Sequence, residues 1–303
     1  MDSEPKQAPR SQPSLVKRLI QSGRYRFQTS ELRHRFVSLR HRGLKPNDVF
    51  LASYPKSGNT WIRHLLAHMV TQKPTPWRGG IDQTSHSVGR HQHLPSIGTS
   101  GRLIKTHEPY RSEYKRSILF VRDGRDVAVS EYFYQKAYSK NFSVYENSFA
   151  KFLDLFLRGK TNGYRSWHRH VESWLDAADL DGNDFLVLKF EELKTDTLGC
   201  LRKMADYIGI DASDELLHEA VDHCSVKAMQ QKEADFWAAK GEANRSFVRT
   251  GKSGGWRTHF TPEMERKFWQ HAGSAMERCG YERIELSDAP ETAPPAPDSQ
   301  SVR

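Results

Sequence analysis

Tyr54-Pro-Lys-Ser-Gly-Asn-Thr-Trp61 packs a cation, small hydrogen-bonding side chains and a glycine into one short run. Between a buried strand and a helix, such a run points free backbone N–H groups and the positive end of the helix dipole at one spot. That spot suits a phosphate or sulfate group. Gly58 allows close backbone approach. Ser57, Asn59 and Thr60 add side-chain donors, and Lys56 adds a mobile charge. Pro55-x-x-Gly58 alone marks only a tight turn. The run is not a Walker A loop, which needs G-x-x-x-x-G-K-[ST], because Lys56 precedes the only glycine.

Val121-Arg-Asp-Gly-Arg-Asp-Val-Ala-Val-Ser130 offers a second anion site. Arg122 would sit at a strand end and Ser130 two turns into the next helix. An arginine fork with a hydroxyl suits a phosphate monoester. In Leu103-Ile-Lys-Thr-His-Glu-Pro109, His107 falls just past a third strand. It titrates in the range a general base needs and can take the proton of an alcohol, phenol or amine. Lys56 and Lys105 can stabilise negative charge on a transferred group and on a leaving phosphate. Arg249-Thr-Gly-Lys-Ser-Gly-Gly-Trp256 reads as a flexible loop, and 232–255 as a mobile flap over a ligand.

These runs need strands to position them. Val49–Ser53, Leu103–Lys105, Ser117–Val121 and Phe185–Lys189 are short, rich in Val, Ile, Leu and Phe, and bounded by polar or turn residues. They read as parallel strands covered on both faces. Helical patterns cover 59–72, 125–137, 145–159, 162–178, 196–208, 213–223 and 262–278. The alternation predicts an α/β fold, a P-loop-like three-layer domain with a central, mostly parallel sheet flanked by helices. Ligands bind at the carboxyl ends of the strands in such sheets, where the runs fall.

The chain has 303 residues and a formal net charge of +9, which favours anionic partners without choosing among them. Its three cysteines are widely spaced and form no C-x-x-C pair, so a reducing, cytoplasmic setting is expected. No secretory signal and no apolar run long enough to span a bilayer is evident. Residues 1–29 read as a mobile tail and lead-in, 30–285 as the catalytic domain, and 286–303 as a disordered Pro/Ala-rich tail. His86, His91 and His93 read as part of a loop, since no acidic or cysteine partner stands at ligand spacing. Trp167, His168, His170 and Trp174 read as core packing with a solvated face.

The octet Tyr54–Trp61 resembles the Y-P-K-S-G-T-T-W signature of the cytosolic-type sulfotransferases, which use 3′-phosphoadenosine 5′-phosphosulfate (PAPS) as donor. The resemblance implies that Lys56, Ser57, Gly58, Asn59, Thr60 and Trp61 hold the donor, with Lys56 assisting transfer and Trp61 near the adenine. Asn59 stands where threonine is usual. Arg122 and Ser130 match R-[ND]-x-x-D-x-x-V-S, which implies binding of the 3′-phosphate. Lys105 and His107 match K-[TS]-H-L-P, which implies that His107 is the base. Glu108 replaces the usual leucine there and suggests a polar or cationic acceptor.

His223-Cys-Ser-Val-Lys-Ala-Met229 resembles T-S-F-x-x-M, which implies adenine-side roles for Ser225 and Met229. Phe190 falls where the family has tyrosine. Arg249 and Gly251 match R-K-G-x-x-G-x-W, with Thr250 in place of the lysine. The family's dimer motif is poorly kept at Arg257, Thr261, Pro262 and Arg266, so its dimer is not implied. The resemblance covers roughly 47–280. It implies a small-molecule acceptor such as a phenol, alcohol, lipid or carbohydrate, with PAP as product, no metal required and no nucleic acid. A nucleotide kinase or NTPase, or a non-catalytic anion-binding protein, are the alternatives.

Overall fold

The computed structural model describes Arg33, 36–139, 142–242 and 251–286. The expected terminal tails, Arg249 and Thr250 lie outside these residues.

Apolar strand residues set the frame. β1 (Val49–Ser53) is buried at every position. β3 (Leu103–Thr106) and β4 (Arg116–Val121) pair with it in parallel on either side. β2 (Ser85–Ser87) and β5 (Asp184–Lys189) form the edges, and the order is β2-β3-β1-β4-β5, all parallel. Successive side chains on a strand point to opposite faces. Phe50, Ala52, Leu119 and Val121 therefore enter one core, and Val49, Leu51, Ile118 and Phe120 the other.

The first core is closed by α3 (Gly124–Tyr138), α4 (Phe149–Leu157), α5 (Trp167–Ala178) and α10 (Pro262–Arg278). The second is closed by α1 (Asn59–Thr71), α7 (Thr197–Ile208) and α8 (Asp214–His223). Trp167, Trp174 and His170 are buried in the first layer, as their helix pattern predicts.

Local backbone geometry explains the differences from the expected elements. The helix expected over 145–159 is a 3-10 turn, Phe142–Tyr145, and then α4. Glu146 and Asn147 between them take left-handed φ of 50° and 55°, and the Ser148 hydroxyl caps α4. The helix expected from 162 starts at Trp167, after Arg165 at φ 67°, which leaves Asn162 and Tyr164 on a loop. Ser85–Ser87, expected as loop, is an edge strand that buried Arg63 anchors. Arg63 donates from Nε to Ser85 Oγ at 2.9 Å and from Nη2 to Asp82 Oδ1 at 2.6 Å. A three-residue polar strand carries no periodicity to read. Three helices fell outside the sequence pattern: α2 (Gly80–Thr84), α6 (Phe190–Thr195) and α9 (Val226–Ala238). The expected flap over 232–255 is thus helical as far as Ala238. Ser225 initiates α9 by accepting the N–H of Ala228 at 3.3 Å.

Candidate active site

The loop after β1 and the start of α1 form the floor of a cavity of about 500 Å³. Gly58 is the residue that turns strand into helix, with φ of 92°. Lys56 also takes a left-handed φ, 72°, which lifts its side chain over the loop. No acidic residue stands in the first turn of α1, so its positive end is not neutralised locally. Ser57 Oγ and Asn59 Oδ1 are buried with no hydrogen-bond partner among the described residues. Asn59 Nδ2 donates to Ser53 Oγ at 3.1 Å and to Leu51 O at 3.3 Å, so its amide ties the loop to β1.

Phe190, at the start of α6, lies directly beneath the glycine. A Cβ on Gly58 would come within 2.7 Å of that ring. Gly58→Ala is therefore expected to destabilise the fold by about 1–2 kcal/mol from left-handed backbone strain, before any cost of moving the ring. Thermal unfolding checks this; an unchanged midpoint would contradict it.

Arg122 leaves the end of β4 and clamps two loops. Its Nη1 donates to Lys56 O at 3.1 Å and its Nη2 to Lys252 O at 3.0 Å. Its guanidinium lies 4.4 Å over the Phe190 ring. Ser130 lines the same cavity from α3. The rest of the R-D-G-R-D run is structural. Asp123 caps α3 and pairs with Arg125, which also reaches Glu265 at 2.8 Å and lies over Trp256. Asp126 accepts the N–H groups of Gly254 at 2.7 Å and Trp256 at 2.9 Å, which pins the C-terminal loop to α3. Gly251 thereby reaches the cavity.

His107 comes off the end of β3, beside the end of β1. Its Nδ1 donates to Ser53 O at 2.7 Å, which assigns the lone pair to Nε2. Burial, and then the Lys105 charge, hold its pKa well below the usual histidine value, so the ring is neutral at pH 7. Burial pulls Lys56 and Lys105 down to about 8. Arg122 and Lys105's neighbour Arg63 add to that fall, while Glu131 and Asp82 oppose it. Lys56 Nζ stands 4.2 Å over the Tyr134 ring.

The structure gathers Lys56, Gly58, Asn59, Thr60 and Trp61 with Lys105, His107, Arg122, Ser130, Phe190, Met229 and Gly251 around this one cavity. Trp61 is fixed by donating Nε1 to Cys224 O at 2.7 Å and by an edge contact with Phe190. Ser57 is buried within the loop and Ser225 is an exposed helix cap, and neither is among the lining residues. Glu108 turns away from the cavity. It forms a two-point pair with Arg33 at 2.5 and 2.9 Å, so it does not meet an acceptor. Glu131, Tyr134, Asn162, Tyr164 and Trp77 also line the cavity and carried no motif. Glu131 follows Ser130 directly, and an acid at that place was the one available signal.

A family described as the sulfotransferase domain matches residues 46–280. Sulfotransferase 2A2 of Mus musculus is 26% identical over 253 residues, covering 78% of this chain and 85% of its own length. Sulfotransferase 1E1 of Cavia porcellus is 26% identical, covering 75% and 82%. A mouse sulfotransferase solved in complex with PAP superposes with a TM-score of 0.59 at 27% identity, covering 80% of this chain and 90% of that one. Retinol dehydratase solved with androsterone and inactive cofactor PAP shares the fold, with a TM-score of 0.62 at 19% identity over 80% of this chain and 85% of its own. The match to the domain, over a sheet that carries an anion loop, an arginine clamp and a neutral histidine at its strand ends, places this chain in the sulfotransferase family.

Proposed function

We propose that this enzyme moves a sulfonate group from PAPS to a hydroxyl or amine of a small molecule, with His107 as base. The observation that carries the reading is the convergence of the Lys56–Trp61 loop, the Arg122–Ser130 pair and His107 Nε2 on one cavity. The residues fit a doubly anionic donor. The first turn of α1 carries no acidic residue, Gly58 seats the loop against the Phe190 ring with no room for a side chain, and Ser57 Oγ is buried with no partner among the described residues.

The donor supplies an activated sulfonate. Backbone N–H groups at Gly58–Thr60 would hold its 5′ end, and Arg122 and Ser130 its 3′-phosphate, with Gly251 at the rim. Arg249 and Thr250 belong to this proposal by motif alone. Trp61, Phe190 and Met229 offer the apolar surface for a base, beside the cap residue Ser225. His107 Nε2 takes the acceptor proton, and Ser53 O holds the ring in that tautomer. Lys56 and Lys105 balance the charge that develops on the transferring group and the leaving phosphate. The three cysteines are free and buried, and no helix among the described residues is long and apolar enough to cross a membrane; a cytoplasmic setting fits both.

Calorimetry with PAP tests the donor site directly, and excess ATP that abolished the PAP signal would favour the kinase reading. The pH profile tests the chemistry. His107 is neutral well below pH 7, so it does not limit the rate on the alkaline side. Lys56 and Lys105 lose their protons as pH rises through about 8. We expect kcat/KM for the donor to fall above pH 8 with a slope steeper than one proton. A flat profile to pH 9.5 would remove both lysines from the charge-balancing role.

A further inference from the structure

The cavity that gathers these cations also holds a buried acid. Glu131 is 4% exposed and lines the cavity one residue beyond Ser130. A carboxylate facing a phosphate or sulfate group is unfavourable, because like charges repel strongly where water is scarce. The Glu131 side chain is instead tied to the wall that holds the base. Its Oε1 accepts from Gln135 Nε2 at 2.8 Å, and Gln135 donates at the same distance to Thr161 O. Tyr145 OH locks Gln135 from behind at 2.7 Å. The next residue in that loop, Asn162, faces the cavity and accepts the N–H of Tyr164 at 2.9 Å. The Tyr164 ring packs edge-on against His107, with centroids 5.6 Å apart.

This network holds Glu131 in place, so it cannot swing out to solvent when the site fills. A carboxylate has about four acceptor positions, and the Gln135 and Asn162 amides use only part of them. Burial raises its pKa, opposed by Gln135, by the Lys56 charge and by Asn162, so an arriving cation would hold it ionised. Glu108, the acid whose sequence position suggests acceptor recognition, is satisfied by Arg33 elsewhere. Glu131 lines the cavity and Glu108 does not.

We propose that the acceptor is a hydroxyl compound that also carries a protonated amine, and that Glu131 receives that amine while the hydroxyl meets His107. The inference rests on the sulfotransferase reading of the cavity and names the acceptor class for it. An alternative role, in which Glu131 serves only to hold Lys56, makes no demand on the acceptor's charge.

Three phenols of similar size and different charge separate these roles: tyramine, 4-ethylphenol and 3-(4-hydroxyphenyl)propionate. Their binding to the PAP-loaded full chain is measured by calorimetry, which needs no turnover. The expected result is that tyramine binds at least about tenfold more tightly than 4-ethylphenol, with the propionate weakest. In Glu131→Gln, which keeps the side-chain volume, the tyramine preference is expected to shrink to about twofold or less. Equal binding of tyramine and 4-ethylphenol to the native chain would overturn the proposal without need of the variant. So would a preference that survives in Glu131→Gln. PAP binding is read before any phenol is added, and its absence would overturn the donor reading and this one with it.

Discussion

Replacing His107 by alanine is expected to lower turnover by about 10²–10⁴-fold, the usual contribution of a general base. PAP affinity should change little, because the proposed donor contacts come from the Lys56–Trp61 loop, Arg122 and Ser130 and none comes from the His107 ring. The size of the effect follows from three features. The ring is neutral at working pH, its tautomer is set by Ser53 O, and Tyr164 packs against its face. None of the other described histidines lines the cavity. Several of them have structural positions instead. His64 bonds Thr75 at 3.0 Å, His41 sits between Glu113 and Tyr114 at 2.8 Å, and His170 is buried against Tyr54. Single-turnover assays with labelled PAPS, paired with PAP calorimetry on the same variant, give the two numbers. Near-native turnover in His107→Ala would end the assignment, and lost PAP binding would make the residue structural.

Lys56→Met should reduce kcat by about 10²–10³-fold, comparable with removal of a preorganised charge-stabilising donor elsewhere. Methionine keeps the length of the stem and can occupy the same left-handed backbone position that lysine already tolerates. The substitution therefore removes charge more than shape. The Lys56 ammonium is poorly hydrated, which is why its pKa falls to about 8 and why its charge acts strongly within the cavity. A second signature is independent of the rate itself. Losing one of two lysines that titrate near pH 8 should reduce the alkaline slope of kcat/KM to a single proton, the one on Lys105. If Lys56→Met lowered PAP affinity and left kcat alone, Lys56 would be a binding residue only.

Particular residues show where sequence reading succeeds and where it stops. Val49–Ser53 and Arg116–Val121 each hold an apolar run of four, 49–52 and 118–121, because central parallel strands are buried on both faces. Such runs are visible without any tertiary knowledge. The residues that immediately follow them could then be placed at the ligand edge of the sheet. Ser85–Ser87 and Asp184–Lys189 are edges, and only the second is apolar enough to read. Ser225 and Asp123 show a different limit. Both are helix caps in the fold, and a cap and a ligand-binding side chain look the same in a linear motif.

The chain's order of residues determined the proposed donor half of the site: a loop after β1, an arginine after β4 and a histidine after β3, each set by local strand-to-helix chemistry. Local chemistry can be read locally. Tertiary structure alone decided the proposed acceptor half. Asn162 and Tyr164 fall in a segment that reads as helix, and the turn at Arg165 leaves them on a loop whose Tyr164 ring meets His107. Glu108 and Glu131 stand one residue beyond His107 and Ser130 respectively, and nothing in those positions says which acid faces the cavity. The bidentate grip of Arg33, 75 residues away in sequence, removes the first, and the Gln135 amide holds the second in place. Side-chain direction at the ends of strands and helices is set by which distant partner satisfies a buried charge, and that is a property of the folded chain.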